Sequence, residues 1–99
     1  MSVSNRTSKP ASSVTSAHGA PSTQPSTTAR VIRSANGARN SLLVVNNGSQ
    51  AVYIGNSSSV TTSTGFPVPP GGSWVTTTYS GDVYGITASG TADVRYWED

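Results

Sequence analysis

Cysteine is absent from the 99 residues. Disulfides and thiolate metal sites are therefore excluded. There is one histidine, His18, and a serine without a base is a hydroxyl group and nothing more. Acidic residues are few and late. Asp82, Asp93, Glu98 and Asp99 are the whole set, and their spacing does not suggest a cation site. No apolar run approaches the length of a membrane-spanning helix. Arg6 and Lys9 are followed by no apolar stretch, so no secretory leader is expected. Together these absences speak against an enzyme and predict neither cofactor nor metal.

Large apolar residues are missing from one end of the chain. Residues 1–29 contain no Leu, Ile, Phe, Tyr or Trp and are mostly Ser, Thr, Ala and Pro. Such a segment buries too little apolar area to offset its ordering entropy, about 1–2 kcal/mol per residue for the backbone alone. The sequence therefore predicts an extended basic arm over 1–38 and a small β-domain over 39–99. Arg6, Lys9, Arg30, Arg33 and Arg39 all precede residue 40, and no acidic residue precedes Asp82. These five cations are the candidate contacts of an arm that seeks an acidic surface. That surface is nucleic acid, a partner protein or the acidic end of a neighbouring copy. Nucleic acid is disfavoured, because the cations are sparse and the arm has no aromatics for base stacking. The Asn-X-Ser/Thr triplets at Asn5, Asn47 and Asn56 are read as inert without a secretory signal.

A domain of about 60 residues is marginal on its own. With disulfides excluded and no metal cluster in view, association with a partner chain is the expected support. From Asn40 the residues become β-rich. Asn47-Gly48 between Leu42–Val45 and Gln50–Ile54 predicts a two-residue type I′ hairpin, with Gly48 at positive φ. That register sets Val45 against Gln50 and Leu43 against Val52, and leaves Leu42, Val44, Ala51 and Tyr53 on the other face. Both faces are apolar, which predicts a cover on each side. Leu42, Val44, Tyr53 and Trp97 are the candidate subunit interface. Val60–Thr62 is at best a short strand, and Gly65–Gly72 is too rich in Gly and Pro for one. Pro70-Gly71-Gly72 predicts a tight return before a strand over Ser73–Thr78. A second hairpin is expected from Val83–Thr87 and Ala92–Glu98, with Ile86 opposite Val94 and Tyr84 opposite Tyr96. The fold class is all-β: a small antiparallel β-sandwich or barrel of five to six short strands with an extended N-terminal arm.

The succession Val44-Val45-Asn46-Asn47-Gly48-Ser49, Val52-Tyr53-Ile54-Gly55, Thr64-Gly65-Phe66-Pro67-Val68, Pro70-Gly71-Gly72-Ser73, Val83-Tyr84-Gly85-Ile86 and Val94-Arg95 resembles a recurrent β-module of small virion proteins in tailed double-stranded DNA bacteriophages. The resemblance covers about 40–98 and leaves out the arm. It implies a non-catalytic domain assembled as multimers, a trimer by analogy with the family, and attached to the outer surface of a capsid. The expected function is capsid decoration (cement), with the arm bound to the major capsid protein. The alternative is a tail, collar or head-fibre component, with a host-glycan role if Trp74, Tyr79, Tyr84, Tyr96 and Trp97 form a stacking platform rather than fill the core and interface.

Overall fold

The computed structural model describes residues 15–17 as backbone and residues 24–99 in full. Among the described residues there are eight strands: β1 (Thr15–Ala17), β2 (Arg30–Arg33), β3 (Leu42–Asn46), β4 (Val52–Gly55), β5 (Phe66–Val68), β6 (Ser73–Thr76), β7 (Val83–Ile86) and β8 (Val94–Glu98). They form two four-stranded sheets. Sheet A has the order β1-β8-β3-β6 and sheet B the order β2-β7-β4-β5. Every pairing is antiparallel. The pairs β1–β8, β2–β7, β3–β6 and β4–β5 are nested, as though one long hairpin had been rolled up. This is the strand order of an eight-stranded jelly roll. The all-β sandwich expected from the sequence is therefore present, with eight strands rather than five or six.

Alternation along the strands builds the core. Leu42 and Val44 of β3 face Val52 and Ile54 of β4 across the sandwich, with Val68, Val83, Ala92 and Val94 filling the space between. Each fully buried Val or Leu contributes roughly 1.5–3 kcal/mol.

Both expected hairpins are instead crossings between sheets. β3 lies in sheet A and β4 in sheet B; β8 lies in sheet A and β7 in sheet B. The first crossing is held by the fully buried Asn46. Its Nδ2 donates to Gln50 O (2.7 Å) and Val68 O (3.0 Å), and its Oδ1 accepts from Gly48 N (3.0 Å). These bonds tie down the loop that a hairpin turn would otherwise close. Gly48 has no positive φ. It is small because the loop lies on its neighbour: a Cβ there would sit 2.8 Å from Asp93 N.

Two connections read differently from the sequence. Phe66–Val68 is a strand despite Pro67, which is tolerated because β5 is an edge of sheet B. Residues 62–64 form a turn, and 60–65 hold no strand, with Val60 buried. The return at Pro70-Gly71-Gly72 is as expected. Gly71 has φ +78°, and Gly72 N donates to Pro69 O at 2.8 Å, the geometry of a type II turn.

The domain also begins much earlier than residue 39. Gln24 and Pro25 are buried. Gln24 Oε1 accepts from Val94 N (2.9 Å), Pro25 O from Ala92 N (3.0 Å) and Ser26 O from Thr87 N (2.8 Å). The segment therefore satisfies the amides of the β7–β8 crossing. β2 then joins sheet B beside β7 through a bulge between Val31 and Arg33. Composition misplaced this boundary because backbone hydrogen bonds and ion pairs, more than bulky side chains, anchor residues 24–39.

Candidate interaction surfaces

Two of the five cations expected to reach outward, Arg33 and Arg39, turn inward. Glu98 sits at an inward position of β8 and is fully buried. Arg33 comes to it from sheet B, with Nη2 at 2.6 Å and Nε at 3.1 Å from Oε1. Arg39 comes from the β2–β3 loop, with Nε 2.9 Å from Oε2. Asn36 Nδ2 adds a bond to Oε1 at 3.2 Å. Burial alone pushes the Glu98 carboxyl upward. The hydrogen bonds from Arg33, Arg39 and Asn36 outweigh it and hold the pKa down to about 2.

All three nitrogens of the Arg39 guanidinium donate hydrogen bonds. Besides Glu98 it donates to Tyr79 O and Gly81 O (both 3.1 Å) and to Ser34 O (2.8 Å). Arg33 also donates to the Tyr96 hydroxyl (3.1 Å) and lies 5.0 Å from the centre of its ring. The cluster clamps the two sheets and the 34–41 loop together at one end.

Arg33 and Arg39 are therefore not contacts of an outward-reaching arm. The acidic end that meets them is the chain's own. Arg30 is exposed on β2, while Arg6 and Lys9 lie outside the described residues, as does His18. The candidate interface also divides. Leu42 and Val44 are 0% and 1% exposed and belong to the core. They lie on the inner face of β3, so they are not available to a partner. Tyr53 is on the outer face of sheet B, between Ile86 and Pro67. Trp97 is on the outer face of sheet A. The structure thus brings none of these four together as one surface.

The apolar surface of sheet A is made by other residues. On its outer face Leu43 lies between Val75 of β6 and Trp97 of β8. Val75 is 60% exposed and Trp97 52%. Val45 is the next outward residue of β3, beside Arg95 and Ser73. A row of Trp97, Leu43 and Val75 thus crosses three neighbouring strands. Cross-strand neighbours of this kind stand about 4.5–5.5 Å apart at Cβ, so the row is continuous. The signal was in the sequence: Leu43 and Val45 are the residues of β3 that the core does not use.

The aromatic platform is not assembled. Trp74, Tyr79 and Tyr96 pack against the core, whereas Trp97 and Tyr84 lie on opposite outer faces. A separate groove opens beside edge strands β5 and β6. One half, about 230 Å³, is lined by Phe66, Trp74 and Tyr79 over Ile54 and Val83. The other, about 300 Å³, is lined by Asn56, Ser57, Ser59, Val60 and Thr64. Gly55 and Asn56 belong to both halves. Phe66 escaped the sequence reading because it stood in a Gly- and Pro-rich stretch. Among the described residues no group of three His, Asp or Glu side chains is placed to hold a metal ion.

No family model, curated protein or solved structure matches the chain.

Proposed function

We propose that this protein is a non-enzymatic structural component of a tailed-phage virion, a decoration protein on the outer surface of the capsid. The jelly roll is the knob. It associates with copies of itself through the outer face of sheet A. Residues 1–14, with Arg6 and Lys9, contact the major capsid protein.

The observation that carries this reading is the exposed row Trp97–Leu43–Val75. A small domain without disulfides gains from covering such a row, and a repeated lattice supplies copies side by side. The resemblance of residues 40–98 to phage β-modules favours the same reading. Jelly rolls serve viral capsids but also lectins and cupins, so the topology is compatible with the reading without choosing it. Glu98 fits a structural role: its carboxyl, held well below the ordinary range, is spent on holding the sheets together. Each lattice contact of the basic segment is weak, about 0–1 kcal/mol per exposed ion pair. Repetition through an assembled knob multiplies them.

The experiment is binding to undecorated capsids. The full chain is expected to coat them, and the chain lacking residues 1–14 is expected to fold and fail to bind. Full occupancy by the truncated chain would remove the proposed role of the segment.

A further inference from the structure

We infer that the groove beside β5 and β6 is a binding site for a neutral saccharide. The two halves differ in chemistry and share a boundary. The first offers aromatic surface: Phe66 is 57% exposed, with Trp74 and Tyr79 in the same wall. The second offers hydroxyl and amide groups from Asn56, Ser57, Ser59 and Thr64, with Val60 as its one large apolar side chain. Among the described residues no charged side chain lines either half. A phosphate, nucleotide or acidic peptide would therefore find no counter-charge. A purely apolar ligand would leave the polar half unused. A pyranose ring carries both surfaces: a C–H face that lies against an aromatic ring and a rim of hydroxyls that exchange hydrogen bonds with side chains such as these.

The walls are set before any ligand arrives. Tyr79 is fixed by its hydroxyl donating to Asp82 O at 2.7 Å. Ser57 and Ser59 share a hydrogen bond of 2.6 Å, and Thr61 and Thr64 bond to each other and to the loop backbone. A loop already ordered loses little entropy on binding. A peptide strand is a poor occupant of the β5 side, because Pro67 removes a backbone donor from the middle of that edge. The inference is independent of the virion reading. A protein that binds sugar and ignores capsids keeps this site and loses the other proposal.

The test is a titration of the full chain, ¹⁵N-labelled, followed by NMR. The probes are methyl glucopyranoside, methyl galactopyranoside, N-acetylglucosamine and cyclohexanol. The expected result is saturable movement of the Trp74 indole and the Asn56 side-chain amide by at least one sugar, with the Trp97 indole unmoved. Phe66→Ala and Asn56→Ala are each expected to weaken that binding about tenfold or more, with the wild-type pattern of backbone peaks otherwise kept. Three results would overturn the site: no saturable shift with any sugar, a shift centred on Trp97, or cyclohexanol binding as tightly as the sugars.

Discussion

Arg39 and Glu98 stand 59 residues apart in sequence and meet at 2.9 Å, with side chains 1% and 0% exposed. The pair joins the loop before β3 to the end of β8. With Arg33, it brings two cations of the basic half onto one carboxylate of the acidic end.

Removing one partner leaves the other charge buried. Arg39→Met is expected to destabilise the domain by about 3–5 kcal/mol, a large share of the roughly 5–15 kcal/mol typical of a whole domain. Urea denaturation followed by tryptophan fluorescence measures it. A loss below about 1 kcal/mol, the range of exposed pairs, would mean that the cluster is solvated.

Acid unfolding follows from the same site. The Glu98 pKa is about 2 when folded, against 4.5 as the ordinary value. The unfolded chain therefore takes up the proton first as pH falls. Stability from this group is full above about pH 4.5 and is lost progressively towards pH 2, by roughly 3 kcal/mol. Glu98→Gln is expected to lower stability at neutral pH and to flatten this part of the profile. Melts collected from pH 7 to pH 2 check both. An unchanged slope in the variant would assign the acid sensitivity elsewhere.

Much of this architecture was legible in the sequence. The alternation Leu42–Val44–Asn46 and Val52–Ile54 marked strands and their inward faces. What alternation does not encode is which sheet a strand enters. A hairpin and a sheet-to-sheet crossing need the same flanking pattern, and the difference rests on Asn46, whose buried amide holds the crossing open. β5 was hidden by Pro67, which only an edge strand tolerates. The early boundary was hidden because Gln24–Ser26 binds through polar and backbone groups. Of the four candidate interface residues, Tyr53 and Trp97 lie on outer faces, while Leu42 and Val44, grouped with them by a hairpin register, face the core. The inward Glu98 left a trace, since Val94, Tyr96 and Glu98 share one face of the last strand.

The Asn46 crossing gives a separate test. Asn46→Ala removes donors to a buried carbonyl, Val68 O, and a partly buried one, Gln50 O, and an acceptor for Gly48 N. The expected loss is about 2–3 kcal/mol, since each buried polar group left unpaired costs about 1–3 kcal/mol. Asn46→Asp keeps the acceptor and loses the donors, so it is expected to rescue little. Thermal denaturation of the pair checks the assignment; full stability in either variant would contradict it.

Truncation separates the segment from the domain. Deleting residues 1–14 is expected to leave the melting transition nearly unchanged. Deleting 1–38 removes β1, β2 and Arg33, and is expected to abolish cooperative unfolding. Circular dichroism and a thermal melt of each truncated chain decide. A stable domain lacking 1–38 would restore the boundary expected from composition.

Association through sheet A is tested at its exposed row. Trp97→Glu places a charge beside Leu43 without entering the core. It is expected to reduce the oligomer mass measured by light scattering while the melting temperature of the isolated domain stays close to wild type. An unchanged mass would move the interface to another face.

The most direct measurement is the number and position of copies on undecorated phage capsids mixed with the full chain, imaged by electron microscopy. The expected result is a regular array of multimeric knobs over the whole outer surface, in fixed ratio to the major capsid protein. No binding, or a few copies confined to a vertex or tail, would contradict a decoration protein.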